Sequence, residues 1–236
     1  MATVLLGLVA FAWWWKRMYR DDYEQQHRPR RVCILMFSTP NIVDEYAGHA
    51  ATINEAYARR HGYAFVHVVR PAQHAIPQWE KVRLIKDHLP DYDAVFWIDS
   101  DAAFNRHDVS LDRWLDGPAD FVGCTDVPNG PYKINCGTML VKNTTWANEF
   151  LKTWWGMNGL PKYNKWANEQ EALHDLLLSN VNGCADRVKI EAVDAFNSSY
   201  PDLARGRRDT FVLHFMAMSA TVRRTELAAV RERLGV

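Results

Sequence analysis

Two carboxylates one residue apart, Asp99 and Asp101, follow directly on the apolar run Val95-Phe96-Trp97-Ile98. In extended backbone, positions i and i+2 point to the same side, so Asp99 and Asp101 can converge on one cation. Carboxylate oxygens are hard ligands that suit manganese or magnesium, and such an ion could bridge to a diphosphate. In open α/β sheets, ligands collect beyond the carboxyl ends of the strands. Two like charges placed there are costly unless a cation or strong hydrogen bonds offset them. The competing reading makes the aspartates turn formers or N-caps of a following helix. The buried strand ahead of them favours the metal site.

His214 lies inside Phe211-Val212-Leu213-His214-Phe215. A lone histidine in an apolar strand is more often a core residue satisfied by one hydrogen bond; set beside the two aspartates it reads as a third ligand, an imidazole nitrogen. Lys81, in Gln78-Trp79-Glu80-Lys81-Val82, opens the helix that leads to the aspartate strand, where its ammonium faces either a phosphate or solvent. In Asn135-Cys136-Gly137 the glycine permits close backbone approach to a ligand and Asn135 offers donor and acceptor together, unless the segment is an ordinary turn. Glu169 and Gln170, at the start of a helix with Asn168, either project into a cleft or serve as first-turn residues favoured by the helix dipole.

The elements that must position these residues read as an α/β domain. Val32 to Phe37 is a continuous apolar run, the pattern of a strand buried on both faces. A helix is predicted over Asp44 to Arg60, with Tyr46, Ile53 and Tyr57 on helical spacing and His61-Gly62 as its end. Ala64 to Val69 is a second strand, Trp79 to Leu89 a helix closed by Pro90, and Ala94 to Ile98 a third strand. This alternation implies parallel pairing through right-handed crossovers, a Rossmann-like first half. Further strands are predicted at Asp120 to Gly123, Gly137 to Val141, Val188 to Val193 and Thr210 to Phe215. Helices are predicted at Thr145 to Trp155, Asn168 to Leu178 and Arg223 to Leu234, and a loop with Pro128, Gly130 and Pro131 lies between the strands at Asp120 to Gly123 and Gly137 to Val141.

With 236 residues, 48% hydrophobic, the chain is long enough for one large domain. Lys+Arg at 28 balance Asp+Glu at 28, so no overall field attracts nucleic acid. Cys33, Cys124, Cys136 and Cys184 are scattered without zinc-site spacing. Ala2 to Trp15 is apolar and uncharged, Trp13 to Trp15 sit like an interfacial belt, and Lys16, Arg17 and Arg20 follow. The organisation expected is a short membrane anchor over 1–20, a polar stalk over 21–30 and a catalytic domain over 31–236. The apolar run is shorter than the roughly 20 residues that span a bilayer. The basic cluster after it would keep the domain on the cytosolic side.

Taken together the chain resembles glycosyltransferase family 34, the galactosyl-, mannosyl- and xylosyltransferases. Six stretches carry the resemblance in family order: Tyr57-Ala58-x-x-His61-Gly62-Tyr63, Trp79-x-Lys81-Val82, Phe96-Trp97-Ile98-Asp99-Ser100-Asp101-Ala102, Asn135-x-Gly137-x-Met139-Leu140-Val141-x-Asn143, Glu169-Gln170-x-Ala172-Leu173 and Phe211-Val212-Leu213-His214-Phe215. The resemblance implies a single GT-A domain, Rossmann-like with a mostly parallel sheet. It also implies a retaining transfer of a hexose or pentose from a nucleotide-sugar, UDP-sugars favoured, to a glycan acceptor, with manganese or magnesium as the ion. Asp99, Asp101 and His214 would then ligate that ion, with Ser100 between the aspartates. Ser38, Thr39 and Lys81 would lie near the nucleotide. Asn135, Gly137, Glu169 and Gln170 would line the donor-sugar and acceptor side. A Golgi-lumenal placement through a signal-anchor, opposite to the cytosolic one, and a homodimer are further expectations.

The sequence departs from the family at Asn168, where an acidic residue is usual, and at Met216-Ala217-Met218-Ser219, where a glycine and a nearby lysine follow the histidine. Arg223 or Arg224 is a candidate for that lysine's phosphate contact. These departures keep two alternatives open: a nucleotide-sugar or glycan-binding protein with weakened catalysis, and another metal-dependent nucleotidyl- or phosphotransferase. The chain lacks the glycine-rich loops of the commoner phosphate-binding plans. Trp146, Trp154, Trp155 and Trp166 could form a sugar-stacking platform, although their helical spacing favours core packing. Asn143-Thr144-Thr145 and Asn197-Ser198-Ser199 match the N-glycosylation pattern.

Overall fold

The computed structural model describes residues 29–126, 134–164, 168–199 and 210–236. Strand β1 (Val32–Ser38) sends alternate side chains into two cores. Val32, Ile34 and Met36 join Tyr46, Ile53 and Tyr57, while Cys33 and Leu35 join Trp79, Trp97 and Trp154. Burial on both faces explains why the run carries no polar alternation. Helix α1 (Gly48–His61) ends at Gly62, whose φ of 71° is the left-handed conformation a helix C-terminus favours. Its predicted beginning is instead a π-helical turn, Val43–Ala47, which carries Tyr46. Strand β2 (Ala64–Val69), helix α2 (Glu80–His88) and strand β3 (Ala94–Ile98) follow, α2 stopping just ahead of Pro90.

Two short elements, β4 (Ala102–Phe104) and a single turn at Asp112–Leu115, then precede the second half of the sheet, which β5 (Phe121–Cys124) opens. β6 (Asn135–Lys142), α3 (Thr145–Trp155), α4 (Asn168–Leu178) and β7 (Val188–Glu191) complete the main sheet and its covering helices. The strand order is β2-β1-β3-β6-β5-β7. β1 pairs in parallel with β2 and β3, and β5 with β7; β6 runs antiparallel to both its neighbours. The sheet is therefore mostly parallel, with one reversed strand at its centre. β7 stops at Glu191, short of the predicted Val193, which opens a helical turn.

A second sheet was not legible in the sequence. β8 (Ser198–Ser199) and β9 (Val212–His214) combine with β4 in the order β4-β9-β8. Its register sets Ala102 opposite His214. Helix α5 (Ala220–Leu234) closes the described chain, its N-cap Ser219 accepting a hydrogen bond from the Val222 N–H. It begins three residues before the predicted Arg223.

Residues 31–236 form one compact unit. The expected anchor over 1–20, most of the stalk, and the Pro128–Pro131 loop lie outside the described residues. The membrane and Golgi placement is corrected here: among the described residues no helix is long and apolar enough to cross a membrane, so the structure gives that placement no support.

Candidate active site

The aspartate pair sits on a turn, not on extended backbone as its i, i+2 spacing suggested. Ala102 N–H donates to the Asp99 carbonyl at 3.0 Å, closing Asp99-Ser100-Asp101-Ala102. The turn is gripped from two sides: Asp99 N–H donates to the Gly137 carbonyl at 2.8 Å, and Phe215 N–H to the Asp101 carbonyl at 2.9 Å. The turn formers and the candidate ligands are thus the same residues. One side-chain donor atom each from Asp99, Asp101 and His214 lie within 4.8 Å of one another. Two carboxylates and one imidazole form a mixed oxygen and nitrogen set that fits manganese or a similar divalent ion.

Each of the three is held by a neighbour. Asp101 Oδ1 lies 3.2 Å from His214 Nε2, and Asp101 Oδ2 accepts from Arg223 at 2.7 Å. Burial by itself would raise the Asp101 pKa, but His214 and Arg223 hold it below the usual carboxylate range. For His214, burial opposes the charged ring, and the Asp101 carboxylate outweighs it, raising the pKa. The other ring nitrogen, Nδ1, is 2.7 Å from the Asn197 carbonyl oxygen. An acceptor there places the proton on Nδ1, so in the neutral ring Nε2 turns its lone pair toward the aspartates.

Asp99 accepts from the Trp97 indole N–H at 2.7 Å and lies 3.2 Å from Lys81 Nζ. Lys81 also reaches Glu169 Oε1 at 3.0 Å and the Cys136 carbonyl at 3.0 Å. Desolvation disfavours a buried ammonium, yet Asp99 and Glu169 raise its pKa, so Lys81 stays charged. Its partners are thus two carboxylates and a backbone carbonyl. Gln170 Oε1 accepts from Cys136 N–H at 3.0 Å, and Asn135 Oδ1 from Gly137 N–H at 2.8 Å. A Cβ on Gly137 would fall 2.1 Å from His214 Cε1, so only glycine fits there.

Contacts and close approaches therefore join Asp99, Asp101, His214, Lys81, Asn135, Gly137, Glu169 and Gln170 in one cluster. Ser100 lies beside the Tyr46 hydroxyl at its edge. Ser38 is not part of it: its buried hydroxyl pairs with His67 Nε2 at 2.8 Å on β2. Thr39 is the N-cap position of the next turn and makes no capping hydrogen bond with its side chain. Arg223 faces Asp101, whereas Arg224 is exposed.

Sequence reading passed over Trp97, Tyr46, Asn54 and Asn197. Asn54 is fully buried in α1, donating to the Ala102 carbonyl at 3.1 Å and accepting from Phe104 N–H at 3.0 Å; a polar residue between Ile53 and Tyr57 on an apolar face was the available signal. Asn197, read as a glycosylation acceptor, is fully buried against His214, which excludes a glycan on the folded chain. Asn143 is exposed. Trp154 is core, and Trp146 and Trp155 pack on Phe150 and Trp79, so these three form no exposed platform. Trp166 lies outside the described residues.

The family described as a protein of unknown function, DUF273, matches residues 54–202. The chain belongs to DUF273. The DUF273 match takes in Lys81, the aspartate turn, Asn135, Gly137 and Glu169, and stops ahead of His214 and Arg223. Outside the family definition, the chain is 28% identical over 133 residues to "Probable glycosyltransferase 6" of Oryza sativa subsp. indica, covering 51% of this chain and 26% of that protein. It is 25% identical over 142 residues to "Galactomannan galactosyltransferase 1" of Cyamopsis tetragonoloba, covering 52% of this chain and 31% of that protein. The matched stretches thus span about a quarter to a third of those relatives. Among solved structures, a glycosyltransferase involved in the glycosylation of the major capsid of PBCV-1 superimposes with a TM-score of 0.71 at 19% identity, covering 84% of this chain and 99% of that one. That likeness is one of fold, and the fold is GT-A.

Proposed function

We propose that this DUF273 chain is a glycosyltransferase that moves a hexose or pentose from a nucleotide-sugar, a UDP-sugar in first instance, to a glycan hydroxyl with retention of configuration, in the manner of family 34. The observation that carries the reading is the convergence of Asp99, Asp101 and His214 within 4.8 Å at the carboxyl end of β3. The GT-A fold and the names of the rice and guar relatives support it, and the latter's galactosyl transfer favours a hexose.

Cleaving the bond from the anomeric carbon to phosphate leaves positive charge on the sugar and negative charge on the departing diphosphate. A divalent ion held by Asp99, Asp101 and His214 supplies positive charge to that diphosphate when bound. The chain's own residues do the rest. Lys81 fixes Asp99 and Glu169 against each other, and Glu169 Oε2, buried without a partner, offers negative charge to the sugar. Gln170 and Asn135 set the backbone of Cys136 and Gly137 beneath the donor. Attack on the same face as departure lets the leaving phosphate take the acceptor's proton, so no separate base is required.

The test is donor hydrolysis and transfer by the full chain with MnCl2, screening UDP-galactose, UDP-xylose, UDP-glucose and GDP-mannose. Turnover is expected to need the metal and to vanish in Asp101→Asn with the fold intact by circular dichroism. Undiminished turnover in that variant or in EDTA refutes the reading. UDP binding without turnover of any of these donors would favour the weakened, binding-only alternative.

A further inference from the structure

We infer that Arg223 is a built-in counter-ion that holds one oxygen of Asp101 and makes cation binding depend on a bound nucleoside diphosphate. The inference rests on the cation-site reading above. Asp101 has both carboxylate oxygens engaged, Oδ1 toward His214 and Oδ2 on the Arg223 guanidinium at 2.7 Å. Arg223 is not a loose surface side chain that can step aside. Its Nε donates to the Phe215 carbonyl at 3.1 Å, its Nη1 to the Tyr46 hydroxyl at 3.4 Å, and its guanidinium carbon lies 5.1 Å from the centre of the Tyr46 ring. Phe215 N–H in turn holds the Asp101 carbonyl, so arginine and aspartate are fixed to the same stretch of backbone.

The charge count follows from these contacts. With the His214 ring neutral, as a metal ligand must be, Asp99, Asp101 and Glu169 face Lys81 and Arg223, which leaves one net negative charge in the directly paired cluster. Ligand charge is a main determinant of affinity at hard-cation sites. A divalent ion entering this cluster overshoots neutrality beside a fixed guanidinium, and a diphosphate supplies the missing negative charge together with further oxygen ligands. Cation and diphosphate are thereby coupled, each raising the other's affinity by the same factor.

The experiment is equilibrium Mn2+ binding to the full chain, read from the free-ion electron spin resonance signal, with and without UDP, for wild type, Arg223→Met and Arg223→Lys. Wild type is expected to bind Mn2+ at least about tenfold more tightly with UDP than alone. Arg223→Met is expected to bind Mn2+ alone about tenfold more tightly than wild type and to lose most of the UDP effect, whereas Arg223→Lys, which keeps the charge, stays near wild type. A wild-type UDP effect near unity overturns the inference, even if the methionine variant fails to fold. So does a folded Arg223→Met that binds Mn2+ alone no better than wild type; the cation site itself then still stands. Absence of Mn2+ binding under every condition removes the cation site and the inference together.

Discussion

Gly137→Ala is the sharpest perturbation of this site because it adds one methyl group and replaces no candidate ligand. The added Cβ would lie 2.1 Å from His214 Cε1, 2.6 Å from His214 Nδ1 and 2.9 Å from Asn135 Oδ1. Carbon contacts are comfortable at about 3.5 Å, so the imidazole must retreat by roughly 1.5 Å. It has little room: His214 is 4% exposed, with Asn197 2.7 Å away on one nitrogen and Asp101 3.2 Å on the other. Overpacking of about 1–3 kcal/mol and one lost hydrogen bond of about 1 kcal/mol give an expected destabilisation of about 2–4 kcal/mol. Gly123→Ala is the control. Its Cβ would meet the buried Ile134 at Cδ1 2.5 Å and Cγ1 3.0 Å; turning the terminal methyl relieves the shorter contact and the longer one needs a shift of a few tenths of an ångström, so a smaller loss is expected. Urea denaturation of the three proteins measures this, the m-value checking that the transition stays comparable. A Gly137→Ala protein as stable as wild type, or more stable than Gly123→Ala, refutes the argument that glycine is there to admit the histidine.

Two further outcomes follow from the contacts around the cluster. Glu80 is fully buried, accepting from Arg70 at 2.8 Å, Arg83 at 2.5 Å and the backbone N–H groups of Gln73 and His74; burial raises its pKa, and these donors more than offset that, setting it at about 2. The folded pKa is depressed, so its stabilisation is present above about pH 4.5 and is lost as pH falls toward 2. Wild type is expected to exceed Glu80→Gln by about 2–3 kcal/mol at pH 7, with the gap closing as pH falls through that window in urea titrations; a gap constant with pH refutes it. Asn197→Ala removes the acceptor that fixes the His214 proton on Nδ1, and Mn2+ affinity is expected to fall about 10–100-fold, with unchanged affinity as the refuting result.

Much of the framework was legible because burial on both faces leaves a direct trace in sequence. β1 and β3 are unbroken apolar runs, α1 ends at a glycine where the chain turns left-handed, and α4 occupies the predicted Asn168 to Leu178. The second sheet left no such trace: β4 and β9 are three residues each and β8 two, and pairing of Ala102 with His214 across more than a hundred residues is a property of the folded chain. Asn197 was legible only as a glycosylation pattern, and Arg223 as a helix charge and a candidate phosphate contact, because their contacts with His214 and Asp101 are encoded by no local spacing.

By itself, the sequence determined that two carboxylates would sit at the carboxyl end of a buried strand, since the apolar run and the Asp-x-Asp step are local and contiguous. Only the tertiary structure decided how they converge. A turn gripped by Gly137 and Phe215, not the pleat of a strand, aims Asp99 and Asp101 at His214, because the hydrogen bonds that bend the chain there come from β6 and the end of β9.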